Sequence, residues 1–205
     1  MNTPNTVLYI DFSKHDAASF MSDDHYGHTT TVSGATWGKE GYTFDGTNDE
    51  ITVADNSALD LTTALTIMTW MFPTAAGNRG IVAKRSGVGA ANVNYNYFLN
   101  AGYGMSVYNG NAEGGAASST AMPTSTWSLA GITWEGSTVN FYLNGLTDGS
   151  TTLALGAANA HALAIGSNGA AEYLKGKIGE VWVFNRILTP LEIQNLYLKT
   201  KWRYR

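Results

Sequence analysis

The chain has 205 residues, of which 44% are hydrophobic and 14% charged, with no cysteine and a formal net charge of −4. That balance supplies a substantial core, argues against disorder, and leaves no disulfide framework or thiolate metal site. Twelve Lys and Arg spread along an acidic chain argue against a nucleic-acid partner, and no apolar run approaches the roughly 20 residues that cross a bilayer, so no membrane insertion is expected.

In chain order, Val7 to Phe12 (VLYIDF) is β-rich and reads as a first strand. The stretch from Ser13 to Gly38 is polar and poorly periodic, a long loop with one short strand near Thr30 to Val32. Its His15, His25 and His28 lack the helical spacing that aims two imidazoles at one ion and read as solvated. Acidic residues are concentrated early, with Asp11, Asp23 and Asp24 among them. Asp45-Gly46 follows one extended run and precedes another, Glu50 to Val53; a Gly there reaches positive φ without steric cost, so a tight return between the two is expected.

Leu65 to Phe72 is a long strand and Ile81 to Lys84 a further one. Tyr95 to Leu99 and Gly104 to Tyr108 pair across Asn100-Ala101-Gly102, whereas the Gly- and Ala-rich run from Asn109 to Thr120 is loop. Trp127 to Glu135 and Ser137 to Leu143 form the clearest hairpin, in which Val139, Phe141 and Leu143 alternate with Thr138, Asn140 and Tyr142. Asn144-Gly145 opens a turn, Leu163 to Ile165 is a short strand and Ile178 to Asn185 a longer one. The sole helix is well signalled: Thr189 caps it, Pro190 suits its first position, Glu192 can reach back to the cap, and Leu188 and Ile193 have the spacing of a hydrophobic staple. Many short strands with one terminal helix read as an all-β, two-sheet antiparallel sandwich in a single domain, 1–205.

An ordered series carries a family likeness from about Val7 to Tyr197: LYIDF, FDGTNDEITV, ALTIMTWM, IVAK, a W-x6-W followed by FYLNG, AIG, then GKIGEVWVFNRILTPLEI and LY. In this order the series resembles the laminin G-like jelly rolls of the concanavalin A-like lectin/glucanase superfamily. The resemblance implies a jelly roll of two curved sheets, often with one structural calcium. Asp11 and Glu180 match the recurrent ligand regions, with Asp23 or Asp24 as an addition. Two positions depart from the pattern, Gly179 where relatives often carry an acid and Trp182 where they often carry a base.

Catalytic signatures are missing from the sequence. Glycoside hydrolysis needs two carboxyls flanking a sugar bond, and no Glu-x-Asp-x-Glu triplet occurs; nor does a Gly-x-Ser-x-Gly elbow or a phosphate-gripping Gly-Lys-Ser/Thr. A non-enzymatic module is expected, with glycoside hydrolase or polysaccharide lyase as the minority reading. For binding, Asn92 to Tyr97 is the leading stretch: extended, it sends Asn92, Asn94 and Asn96 to one side and Val93, Tyr95 and Tyr97 to the other, an amide face suited to hydroxyls. The same pattern describes a half-buried strand with a solvated polar side. Trp182 is a second ligand candidate, with core or subunit contact as the alternative.

Two roles stay open: a carbohydrate-binding or adhesive module that meets a glycan or a surface protein, and a structural virion surface protein, decoration or tail component, that self-associates. The stretch Met1 to Asn5 has no leader character, so an extracellular or virion-surface location implies excision from a larger secreted protein or exit on a virus particle. The basic, aromatic tail Thr200 to Arg205 reads as an assembly hook for a homo-oligomer or virion.

Overall fold

The computed structural model describes residues 5–87, 89, 92–114, 117–169 and 171–205. Most of the stretch read for a leader, residues 1–4, lies outside them, as do residues 115 and 116 of the loop after Tyr108. In chain order the strands are β1 (Thr6–Asp11), β2 (Ser19–Met21), β3 (Thr29–Ser33), β4 (Thr36–Gly38), β5 (Gly41–Asp45) and β6 (Glu50–Val53). Then come β7 (Ala64–Pro73), β8 (Arg79–Arg85), β9 (Val93–Leu99), β10 (Met105–Tyr108), β11 (Ser128–Glu135) and β12 (Thr138–Leu143). The last elements are β13 (Leu146–Thr152), β14 (Leu163–Ile165), β15 (Lys175–Phe184) and the helix α1 (Pro190–Thr200).

These strands make two antiparallel sheets. The first runs β13-β12-β11-β7-β15-β5-β4, with β1 pairing the second half of β15; the other runs β10-β9-β8-β14-β6-β3-β2. The sandwich expected from the turn-punctuated strands is therefore the observed architecture. Between the sheets lies one large apolar cluster, fed by alternate residues such as Leu65 and Ile67 of β7, Ile132 and Trp134 of β11, Tyr95 and Tyr97 of β9 and Val181 and Val183 of β15.

The Asp45-Gly46 step does not make the expected hairpin. β5 pairs with β15 in the first sheet and β6 with β14 and β3 in the second, so the turn carries the chain from one sheet to the other. Gly46 has φ +83°, and the Asp49 carboxylate accepts the Asp45 N–H at 2.8 Å, fixing the corner. This crossing lets Phe44, Ile51 and Val53 all point into the same inter-sheet core.

The outer face of the first sheet is also covered. Tyr9, Met68, Trp70, Leu129, Tyr142, Trp182 and Phe184 form a second apolar cluster, roofed by Leu188, Ile193 and Leu196 of the helix region and by Tyr204 of the tail. β7 and β15, which lie at the middle of this sheet, accordingly read as near-continuous apolar runs buried on both faces. The expected helix start is present in full: Thr189 Oγ1 accepts the Glu192 N–H, the Glu192 carboxylate accepts the Thr189 N–H at 2.8 Å, and Arg186 grips the other carboxylate oxygen at 2.6 Å. That ion pair and the cap's hydrogen bonds hold the Glu192 carboxyl down at about 2.

Candidate ligand site and the acidic cluster

β9 sorts its side chains as its alternation requires. Val93, Tyr95, Tyr97 and Leu99 enter the inter-sheet core, and Asn94, Asn96 and Phe98 take the outer face of the second sheet. That outer face is not a solvated amide strip, however. Two loops fold over it, residues 54–63 and 153–162, and Asn94 is consumed in holding them. Its Oδ1 accepts the Leu61 N–H, and its amide donates to the Leu61 and Gly156 carbonyls at 3.1 and 3.0 Å. Asn94 is thus a structural residue, and its expected place on a ligand-facing strip is corrected. Tyr95 is likewise internal, donating from its hydroxyl to the Leu59 carbonyl at 3.0 Å. Asn92 stands ahead of the strand, where its backbone closes a turn with Gly89 and Ser86.

A residue that sequence reasoning passed over anchors the same loops. Lys84 of β8 is fully buried, and its Nζ lies 2.6 Å from Asp55 Oδ1 and 3.2 Å from Asp60 Oδ1. It also donates to the Asn159 and His161 carbonyls at 2.9 and 2.8 Å. A buried ammonium is tolerated only when paired and hydrogen-bonded, and here all its protons are committed.

Beyond these loops the outer face stays open as a depression of about 200 Å³, lined by Asn78, Arg85, Asn96, Phe98, Tyr108, Glu113, Asn168 and Glu172. Asn96 is buried, yet its Oδ1 has no hydrogen-bond partner among the described residues. Arg85 lies over the Tyr108 ring at 5.4 Å and donates from Nε to the Gly87 carbonyl at 2.9 Å; burial pulls its guanidinium below the usual pKa. Asn168 donates to Glu172 at 2.5 Å, and Tyr108 donates its hydroxyl proton to the Gly110 carbonyl. Chemically this is a small wall of aromatic carbon with amide, guanidinium and carboxylate groups set into it. Of the residues singled out from sequence, only Asn96 belongs to it. Arg85, Tyr108 and Glu172 come from separate strands and loops, with no local spacing to link them.

Trp182 lies on the opposite side of the molecule. It is buried in the second cluster, stacked on Tyr9 at 5.4 Å between ring centroids, and packs beneath the tail. The core alternative describes it, and its expected ligand role is corrected because no face of the ring is open.

The carboxylates expected to hold calcium do approach one another, and the oxygens of Asp11, Asp23 and Asp24 are already engaged, whereas those of Glu180 have no hydrogen-bond partner among the described residues and only Oε1 meets a cation. Asp11 of β1 stands directly opposite Glu180 of β15. Asp11 Oδ1 accepts from the Ser13 hydroxyl and N–H, and its Oδ2 lies 3.2 Å from Lys14 Nζ and 3.1 Å from Arg203 Nη1. The Arg203 guanidinium also closes on Glu180 Oε1. Asp23 accepts the Asp11 N–H at 2.8 Å and meets the His15 ring at 3.0 Å. Asp24 accepts three backbone N–H groups, from Tyr9, Tyr26 and Gly27. Calcium asks for six to eight oxygens free to turn towards it. Glu180 alone cannot supply that number while the Asp11, Asp23 and Asp24 oxygens face ammonium, guanidinium and N–H donors, so the set does not fit, and no group of three or more His, Asp or Glu poised for a metal occurs among the described residues. Burial drives the Glu180 carboxyl up to about 8, with Arg203 pulling it down and the Asp11 charge pushing it further up.

Of the three histidines of the long polar loop, His25 is exposed as expected, but the other two are not fully solvated. His28 is buried with Nε2 at 2.8 Å from the Val7 carbonyl, and His15 stacks on Phe20 at 4.2 Å. The tail is also partly internal. Tyr204 stacks on Trp70 at 4.5 Å and packs against Trp127, which leaves Lys201, Trp202 and Arg205 as the exposed part of the expected assembly hook. Gly179 explains itself here: a Cβ at that position would stand 2.4 Å from the Tyr204 ring.

No helix among the described residues is long and apolar enough to cross a membrane. No curated protein matches the sequence. Among solved structures, the chain is similar to a sialidase of Trypanosoma rangeli, with a TM-score of 0.73 at 14% identity over 98% of this chain and 34% of that one. It is also similar to the binding domain of Paraclostridial Mosquitocidal Protein 1, with a TM-score of 0.68 at 14% identity over 94% and 52%. A third similar structure is the binding domain of botulinum neurotoxin DC in complex with SialylT, with a TM-score of 0.70 at 12% identity over 96% and 52%. The chain thus spans about a third to a half of these proteins, and at such identities the likeness is one of fold. The model of the concanavalin A-like lectin/glucanases superfamily matches residues 45–194, and with the two-sheet sandwich described above it places this chain as a member of that superfamily.

Proposed function

We propose that the chain is a non-catalytic, extracellular recognition module that takes a glycan into the depression formed by β8, β9, β10 and the loop around Glu172. The observation that carries the reading is the buried Asn96 Oδ1, unpartnered among the described residues, at a wall that also presents Tyr108, Phe98 and Arg85. An acceptor withdrawn from water without a partner is costly, and a sugar hydroxyl supplies the missing donor while an aromatic face packs on the ring's apolar side. A volume near 200 Å³ is below the roughly 300 to 1,000 Å³ of drug-sized pockets, which suits one or two sugar units at the end of a chain. The similarity to toxin binding domains, one in complex with SialylT and one with rat synaptotagmin II, supports recognition of a glycan or a surface protein.

Hydrolysis is disfavoured by the setting of the two carboxylates at the depression. Glu113 is exposed and Glu172 half-buried, so neither has the apolar enclosure on which a general acid depends. Glycan-array screening followed by ligand-observed NMR tests the proposal. Binding that falls at least tenfold in both Asn96→Ala and Tyr108→Ala, with no sugar released, is the expected result. Binding unaffected by both substitutions, or turnover lost in Glu172→Gln, would refute it.

A further inference from the structure

The acidic cluster on the outer face of the first sheet poses an electrostatic problem that the protein solves from its own sequence. Asp11 and Glu180 are direct cross-strand partners, Glu180 is 0% exposed, and Asp23 adds a third carboxylate through the Asp11 N–H. Like charges directly opposite each other weaken a strand pair, and buried charge without a counter-ion is costly. Besides the His15 ring on Asp23, two cationic side chains reach the cluster among the described residues. Lys14 is 55% exposed and touches only the Asp11 and Asp23 edge. Arg203 alone spans both strands, meeting Asp11 at 3.1 Å and contacting Glu180.

Its placement is built, not incidental. The next residue, Tyr204, is buried against Trp70 and Trp127 and covers Gly179, the residue beside Glu180. A side chain at 179 would displace that ring, and with it the guanidinium. Gly179, Tyr204 and Arg203 therefore act together.

We infer that the guanidinium of Arg203 is the resident cation of this domain, doing for the Asp11–Glu180 pair what a structural calcium does when carboxylates of neighbouring strands are left open to it. The pair then takes its counter-charge from the tail, which joins β1 to the central strand β15 electrostatically. Stability consequently depends on an intact Arg203 and not on divalent cations.

Thermal unfolding of the full chain at pH 9, where both Asp11 and Glu180 are ionised, in excess EDTA and in millimolar CaCl2 tests this, with Arg203→Met, Arg203→Lys and a triple variant combining Asp11→Asn, Glu180→Gln and Arg203→Met. The wild type should unfold at the same temperature in both buffers. Arg203→Met should unfold roughly 5–10 °C lower, since one partner of a buried pair is lost in a domain of this size. Arg203→Lys should recover part of that loss, and the triple variant most of it, because the charges needing compensation are gone. If Arg203→Met proves insoluble, the triple variant still decides: a soluble triple variant upholds the proposal and an insoluble one overturns it. A wild type that loses several degrees in EDTA, or an Arg203→Met that melts with the wild type, also overturns it.

Discussion

Replacing Lys84 by Met keeps the aliphatic stem in its slot and deletes the ammonium that ties two loops to β8. The cost can be worked from its four partners. The Asp55 and Asp60 side chains are 40% and 22% exposed, so water can solvate both once the ammonium leaves, and their share of the loss is small. The Asn159 and His161 carbonyls are its other partners, at 2.9 and 2.8 Å, and an acceptor left without a donor costs on the order of 1–3 kcal/mol. Against this stands the relief of no longer desolvating an ammonium. The expected net loss for Lys84→Met is about 2–4 kcal/mol, which in a domain of this size lowers the melting temperature by about 4–16 °C. Urea denaturation followed by tryptophan fluorescence measures it, because the buried Trp70, Trp134 and Trp182 report the global transition. A loss under about 0.5 kcal/mol, or a gain, would show that the loops hold themselves over β9 without the lysine and that the reasoning from its hydrogen bonds is wrong.

Two further outcomes follow from the outer face of the first sheet. Because the folded protein raises the Glu180 carboxyl from 4.5 to about 8, stability is fully present below about 4.5 and declines as pH rises through about 8; Glu180→Gln should flatten that decline in calorimetry between pH 5 and 9, and an unchanged slope would contradict it. Gly179→Ala puts a methyl 2.4 Å from the Tyr204 ring, so it should cost about 1–3 kcal/mol in the wild type and far less once Tyr204 is Ala; equal costs in both backgrounds would rule out the close packing as the cause.

The elements legible in the sequence are those whose own residues carry the signal. β7 announces itself by its long apolar run, β12 by apolar alternation, and α1 by its cap, its proline and Glu192. β2, β4 and β13 are short or polar, as in Leu146–Thr152 (LTDGSTT), and exist because a neighbour offers hydrogen bonds, which no local pattern reveals. The second cluster was hidden for a related reason. Met68, Trp70 and Trp182 alternate with inward residues and mark a second apolar face, but what covers it, the helix region and the returning tail, is not written in the strands themselves. In the candidate site, the amide strip of β9 was visible, but which amide stays open was not. Loops around Leu61 and Gly156 claim Asn94 and leave Asn96 beside Arg85 and Tyr108. Arg203 meets Asp11 across 192 positions of chain, a relation that only the folded molecule discloses.

The pairing of β1 with β15, in which Tyr9 stands opposite Trp182, has a bearing on biogenesis. During vectorial synthesis β1 must wait, unsatisfied along its backbone, until β15 has been made far later in the chain, and closing so large a loop is entropically slow. The nascent domain therefore carries an open sheet margin until β15 follows, and its yield in a heterologous host should respond to translation rate and chaperone supply more than to the strength of its finished core.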